Sequence, residues 1–312
     1  MNRTALSPVA LPTESAWSRS GAASIVLPVT FALVYGSGFV GAKYGLPYCP
    51  PLTFLGIRFA IAASLIALLA IALRAAWPRP MEALHIAIAG LMTVAMFSVG
   101  VFVSIDLGIS PALSALIIAL QPLLIAVLAR RVVGEKVSSR QWAGLLLGFA
   151  GVAFVLGHKV HFDGAGWLAV GMSVIGLIGV TGGNLYQKRF CAQMNVFTGG
   201  AIQSAASALV ATVLAASLEH MTVQWTMPFV GALLYMAVGV SMGALTLLYI
   251  MIRRGDVSRV ASVFYLVPVS AAAASFLIFG ERFDAQVGVG VGIVAIGVVM
   301  VNFRPSTARR DA

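Results

Sequence analysis

The sequence predicts an all-α integral membrane protein of ten transmembrane helices, arranged as an inverted five-plus-five repeat around a central cavity. Three observations predict it. Sixty per cent of the residues are apolar and 10% charged, with a mean hydropathy of +0.98, whereas charged residues make up about a quarter of a soluble domain. The apolar residues fall into ten runs, each near the roughly twenty residues a spanning helix needs. Two halves of the chain also superimpose without a gap at an offset of 146 residues. At that offset Pro122 falls on Pro268, Gly134-Glu135 on Gly280-Glu281, Gly144 on Gly290, Gly151 on Gly297 and Gly36 on Gly182.

Residues 1–24 read as a disordered polar tail (Thr4, Ser7, Pro8, Pro12, Thr13, Ser18, Ser20) without a signal-peptide core. The first span, 25–45, stops at Pro47, Pro50 and Pro51, and the second, 52–73, at Trp77-Pro78-Arg79-Pro80. The third, 83–105, gives way to Gly108 to Pro111, and the fourth, 110–129, to Gly134-Glu135-Lys136. The fifth, 138–157, closes the first repeat, 25–157, before His158 to Gly164. The sixth to tenth spans, 165–187, 197–218, 227–252, 258–279 and 284–303, make the second repeat, 165–303. Pro228 and Arg253-Arg254-Gly255-Asp256 punctuate them, and 304–312 form a second polar tail. These breaks are where proline, glycine and charge end apolar helices.

Five spans per repeat is an odd number, so the second copy enters the membrane upside down. Loop charge agrees. Arg130, Arg131, Lys136 and Arg140 surround the first Gly-Glu junction, whereas the second has Arg282 with Glu281 and Asp284. With a cytoplasmic N-terminus the inner segments hold sixteen of the twenty Lys and Arg, leaving Lys43, Arg58, Lys159 and Arg282. Such a bias puts both termini in the cytoplasm.

The same distribution excludes other classes. A net charge of +10 and a pI near 10.2 would suit nucleic acid only if the cations formed one exposed face. Here they sit in short clusters between spans, as beside an anionic bilayer. Gly36-Ser-Gly38-Phe-Val-Gly41 matches a dinucleotide fingerprint but lies inside a span, away from any strand-to-helix turn. Walker A and HExxH sequences are absent, and no cofactor is implied. His158-x-x-His161-x-Asp163 offers too few ligands in a short loop for a metal site. Cys49 and Cys191 fall on opposite sides of the bilayer and do not pair.

Counting along each span at 1.5 Å per residue brings a set of residues to one depth. They are Tyr35 and Ser37 (first span), Met96 and Phe97 (third), Gln121 (fourth), Thr181 and Asn184 (sixth), Ser241 (eighth) and Tyr265 (ninth). Uncharged hydrogen-bonding groups, aromatic faces and a soft Met suit a small zwitterion with a variable side chain. Gly36 and Gly182 allow close packing or leave room for a ligand at mid-depth. Pro122 and Pro268 mark symmetric kinks near the bilayer centre, fit for gating or for helix shape alone. Gly144-x-x-x-Gly148 and Gly288-x-x-x-Gly292 are close-packing patterns that leave monomer and homodimer open. Arg58, about two turns into the second span, needs a partner: a carboxylate such as Asp106, helix-end carbonyls, or a substrate carboxylate. The middle of each span lacks Asp, Glu and His, which favours facilitated transport over a proton-driven cycle.

The ten spans in two inverted repeats, Tyr35-Gly36-Ser37-Gly38-Phe39, Arg58 and the two Gly-Glu junctions resemble the drug/metabolite transporter superfamily, EamA-type exporters. The likeness covers residues 25–303 and within that group is nearest to the YddG-type bacterial inner-membrane amino-acid exporters. The resemblance implies a basket-shaped bundle with peripheral fifth and tenth spans. It also implies export of aromatic and other neutral amino acids and related metabolites by alternating access. The family commonly has Trp where Tyr35 stands. The alternatives are a cationic-drug exporter, which would need a carboxylate within the membrane, and a membrane enzyme or sensor, which would need a buried reactive cluster or a soluble domain.

The orientation makes a direct prediction. An impermeant thiol reagent applied to intact cells is expected to reach Cys49 and not Cys191 in single-cysteine variants, and the reverse pattern would invert the topology.

Overall fold

The computed structural model describes residues 23–109, 111–156, 166–254, 257–270 and 285–302. The two tails, the His158-x-x-His161-x-Asp163 loop and the second Gly-Glu junction, Gly280-Glu281 with Arg282 and Asp284, lie outside the described residues. Every element found is helical. In chain order they are α1 (Ala23–Gly45), α2 (Pro51–Ala72), α3 (Pro80–Gly90), α4 (Phe97–Asp106), α5 (Pro111–Ile118), α6 (Gln121–Val132) and α7 (Ser139–Leu156). The second half continues with α8 (Trp167–Phe190), α9 (Val196–Leu218), α10 (Met227–Leu234), α11 (Leu245–Arg254), α12 (Val257–Val263) and α13 (Ala285–Asn302). Six stretches are long and apolar enough to cross a membrane: Pro51–Ala72, Pro80–Asp106, Ser114–Val132, Trp167–Phe190, Val196–Leu218 and Met227–Arg253. Helices alone suit this solvent, since each satisfies its backbone polar groups within itself.

Two spans carry wide turns that the sequence did not announce. α3 runs into α4 through a π-helical segment, Leu91–Met96, and α10 into α11 through Tyr235–Ala244. The extra residue per turn rotates the side chains that follow, a feature frequent at functional sites.

The prolines act differently from the expected mid-helix kink. The chain leaves the helix at Ala119-Leu120, and α6 restarts with Pro122 in its first turn. In the second half the break falls at Phe264-Tyr265 and helix resumes over 266–270, with Pro268 in the first turn. Proline is tolerated there because its missing N–H would have had no intrahelical acceptor. The breaks close with tighter bonds, Leu120 N–H to Ile117 O at 3.1 Å and Val267 N–H to Phe264 O at 3.1 Å.

Glycine sets the closest helix pairs. A Cβ on Gly144 would meet the Gly297 carbonyl at 2.8 Å, and one on Gly151 would meet the Val294 nitrogen at 2.9 Å. Gly290 faces Val155, so α7 and α13 run antiparallel. α2 and α9 do the same, with Gly56 against Thr212 and Gly200 beside Ile66. Of the expected glycine patterns, Gly144 and Gly148 are used, but Gly288 and Gly292 face open space while Gly290 and Gly297 make the contact. The i, i+4 spacing identified the helix and missed its face by half a turn.

Two carboxylates close helix ends that have no cap of their own. Glu219, just past α9, accepts from Leu52 N (2.8 Å), Thr53 N (2.8 Å) and Thr53 Oγ1 (2.7 Å) at the start of α2. Glu135 accepts from Val257 N (2.9 Å), Ser258 N (3.3 Å) and Ser258 Oγ (3.4 Å) at the start of α12. The Gly-Glu junction thereby acquires a role: Gly134, at φ +77°, turns the chain out of α6, and the next residue ties that end to α12. Anionic oxygens at exposed helix N–H groups are favourable in both charge and geometry.

Cys49 and Cys191 are buried, 3% and 5% exposed. Burial pushes both thiols up to about 11, with the Glu219 carboxylate adding to the rise at Cys49. At pH 8 a thiol of that kind is on the order of 0.1% thiolate. The native cysteines are therefore poor reporters of sidedness, and any labelling should climb with pH toward 11.

The α7–α13 contact yields a stability prediction. Gly297→Leu is expected to lower the stability of the detergent-solubilised protein by about 1–3 kcal/mol through overpacking, whereas Gly292→Leu should leave the thermal midpoint nearly unchanged.

Candidate functional site

The site begins with one aromatic ring. Tyr35, half-buried on α1, stacks on Phe31 one turn earlier (5.2 Å between centroids) and on Phe97 at the start of α4 (6.3 Å). Phe264, at the break after α12, meets Tyr35 edge-on at 5.7 Å and Phe31 at 5.2 Å. Offset and edge-to-face pairs at these separations are the preferred aromatic geometries. Three segments distant in sequence thus supply one aromatic wall, and the Leu91–Met96 π-segment sets the rotation that brings Phe97 into it.

Polar contacts lie on α1 and on neighbouring elements. Ser37 Oγ donates to Val34 O at 2.9 Å and shares a short hydrogen bond with the Tyr235 hydroxyl. Arg58, 5% exposed on α2, donates from Nε to Ser241 Oγ at 2.8 Å, and its guanidinium lies 5.3 Å from the Phe59 ring. Ser241 belongs to the second π-helical segment, so that wide turn supplies the partner of Arg58. Among the described residues no carboxylate pairs with Arg58, and Asp106 is exposed at the end of α4.

A second set of polar atoms is buried without partners. Gln121 is wholly buried with both amide atoms free of hydrogen bonds, and Thr181 Oγ1, Asn184 Oδ1, Tyr249 OH and Tyr265 OH are likewise unsatisfied among the described residues. An unmatched polar atom in an apolar interior costs about 1–3 kcal/mol. A concentration of them marks where a ligand or ordered water completes the structure. Thr181 and Asn184 flank Gly182 and Gly183 on α8, which lie against Met92 and Thr93, and Gly179 lies against Met96. Gln203 donates to Gln187 Oε1 at 3.0 Å between α9 and α8. Below these, at the end of α8, a shallow pocket is lined by Gln187, Cys191, Met194, Tyr249, Ile252 and Arg253.

The structure therefore brings Tyr35 together with Phe97, Ser37 with Tyr235, and Arg58 with Ser241, while Met96 lies against Gly179 of α8. Tyr265 stands apart. Its ring covers Gly148 and packs with Leu145, Val152 and Val294 of α7 and α13, and Phe264 takes the place beside Tyr35. Gln121 opens α6 with its amide buried and without a hydrogen-bond partner among the described residues, and the rings that pack on Tyr35 come from other segments. Phe31, Tyr235, Tyr249 and Phe264 were not singled out by depth counting. Phe31 lies four residues before Tyr35, and Tyr249 eight after Ser241, so a same-face count along each span would have found both. Phe264 needed the helix break.

Comparison with known proteins gives a consistent picture. A family model described as the EamA-like transporter family matches twice, over residues 22–157 and 167–303. The chain is 26% identical to YvbV of Bacillus subtilis, an uncharacterized transporter, covering 90% of this chain and 92% of that one. It is 25% identical to the inner membrane transporter YedA of Escherichia coli, covering 86% and 87%. It is 24% identical to a probable amino-acid metabolite efflux pump of Escherichia coli, covering 88% and 92%. A solved crystal structure with 18% identity superposes on 91% of this chain and 97% of its own with a TM-score of 0.77, which shows a shared fold.

Proposed function

We propose that this chain, which belongs to the EamA-like transporter family, exports aromatic and other neutral amino acids and related metabolites from the bacterial cytoplasm by alternating access. A multi-pass membrane transporter is the premise; substrate, orientation and mechanism are the reading built on it. The observation that carries the substrate class is the aromatic cluster of Phe31, Tyr35, Phe97 and Phe264, together with a buried guanidinium, Arg58, bonded to a serine. A zwitterion needs polar contacts for its ends and an apolar surface for a variable side chain. The name of one relative, a probable amino-acid metabolite efflux pump, points the same way. A cationic drug would call for a buried carboxylate, and no Asp or Glu is buried among the described residues.

An inverted pair of five-span repeats fits the geometry of this chain. The family model matches once in each half. α2 and α9 hold equivalent places in the two halves, as do α7 and α13, and each pair packs antiparallel, as copies inserted upside down would. The breaks at Ala119-Leu120 and Phe264-Tyr265 are also equivalent, offset by 145 residues. In this reading the breaks, with Pro122, Pro268, Gly36 and Gly182 beside them, are the hinges, and the Glu135 bond to α12 is a contact that the cycle makes and releases. Release of a weakly held, mostly uncharged ligand needs no proton, so flux follows the concentration gradient.

Counterflow in proteoliposomes with labelled amino acids tests the substrate class. Tyr35→Ala, Phe97→Ala and Phe264→Ala are each expected to lower flux at least severalfold at normal expression and to shift the ranking of aromatic against small substrates. Unchanged flux and ranking in all three would remove the mid-depth site. A protonophore should leave concentration-driven flux intact; its abolition would show coupling to protons. For orientation, Trp225→Cys in an exposed loop should react with an impermeant maleimide in intact cells. Ser138→Cys should react only after permeabilisation, and the opposite pattern would invert the protein.

A further inference from the structure

Arg58 is the one buried cation among the described residues, and the protein answers it with a single serine. A guanidinium carries five donors in a planar fork, of which only Nε is engaged by Ser241. No carboxylate pairs with it among the described residues, and two turns further along α2 Ile66 lies with Tyr249 of α11 beside Gly200. The Tyr249 hydroxyl is 3% exposed as a residue and has no hydrogen-bond partner among the described residues. Tyr249 also lines the pocket that holds Arg253 at the end of α8 and α11. A buried hydroxyl without a partner therefore stands between a basic pocket and an incompletely paired cation. Donors without acceptors are arranged for an anion that is not part of the chain, and an Arg fork matches a carboxylate with two parallel bonds.

Resting on the amino-acid reading above, we infer that Arg58 is the receptor for the substrate carboxylate, which reaches it from the Arg253 pocket past Tyr249. The carboxylate end then lies at α2 and the second π-helical segment, while the side chain of the substrate lies on Phe97 and Phe264. The class admitted is any small molecule with one carboxylate and an apolar body, with or without an amino group. Its decarboxylated amine is refused, because a cation there would face Arg58 at close range.

Full-length protein in lipid nanodiscs, titrated calorimetrically with 3-phenylpropionate, phenylalanine and 2-phenylethylamine, tests this. The acid and the amino acid should bind, and the amine should bind at least about tenfold more weakly. Arg58→Gln should weaken the acid about tenfold or more, Arg58→Lys less, since charge without the fork survives. Tyr249→Phe removes an unpartnered buried hydroxyl, so the ligand-free thermal midpoint should hold or rise while acid binding weakens severalfold. A purely structural Arg58 would give the contrary result: lower ligand-free stability with acid affinity intact. Equal binding of amine and acid, or unchanged acid affinity in a folded Arg58→Gln protein, overturns the inference. If that variant does not fold, unchanged acid affinity in Tyr249→Phe overturns it. The two readings fail differently. Acid binding without phenylalanine counterflow sinks the export reading and leaves the carboxylate site, whereas phenylalanine flux unaffected by Arg58→Gln sinks the site and leaves export.

Discussion

Among lipid, a backbone N–H or C=O has no water to bond, and each one left open costs several kcal/mol. The rest of this structure depends on that constraint. It makes every described element helical, and it explains how the departures from helix are repaired. Where Pro122 and Pro268 remove a donor, the chain breaks two or three residues earlier and closes with tighter bonds from Leu120 and Val267. Where a helix starts without its own cap, Glu219 or Glu135 crosses from another element to supply the acceptor. The two π-helical segments keep their backbone bonded while turning the next residues to a new face.

The same economy shapes the packing. Hydrophobic burial does little between helices already surrounded by hydrocarbon, so close approach and van der Waals contact must hold them together. Gly144 against Gly297 and Gly151 against Val294 bring α7 and α13 to backbone contact, and Gly100 does so for α4 and α8. Tight peripheral pairs of this kind let the middle of the bundle remain polar. The hydroxyls of Ser104, Ser114 and Ser173 bond one another between α4, α5 and α8. Arg58 and Ser241 similarly join α2 to the second π-segment, and Gln187 and Gln203 join α8 to α9.

Function draws on the places where this accounting stays open. Gln121, Thr181, Asn184 and Tyr249 hold buried polar atoms with no partner, and Arg58 holds a charge with one neutral partner. A protein that only needed to be stable would fill such positions with apolar groups. Open polar atoms of this kind, in a protein that also carries an aromatic wall, are what a transient ligand of mixed polarity would complete. The absence of any strong internal competitor also allows that ligand to leave.

The sequence by itself determined the solvent, the helices and the repeat, because those follow from composition, run length and a period that survive in one dimension. Sequence also drew attention to Arg58, Tyr35 and Ser241, since a charge or a hydroxyl within an apolar run is visible without any fold. It drew attention to the Gly-Glu junction without its purpose, which needed α12 to arrive 122 residues later. Tertiary structure alone decided which side of a helix faces which neighbour. Tyr265 and Phe264 are adjacent, yet the break between α12 and the helix over 266–270 sends one to Gly148 and the other to Tyr35. Gly290 and Gly297 make the contact that the spacing assigned to Gly288 and Gly292. One residue is about 100° of rotation on a helix, and a π-turn or a proline break shifts that rotation without leaving a periodic trace. Depth in the membrane is written in the sequence, whereas azimuth is settled only when the helices pack.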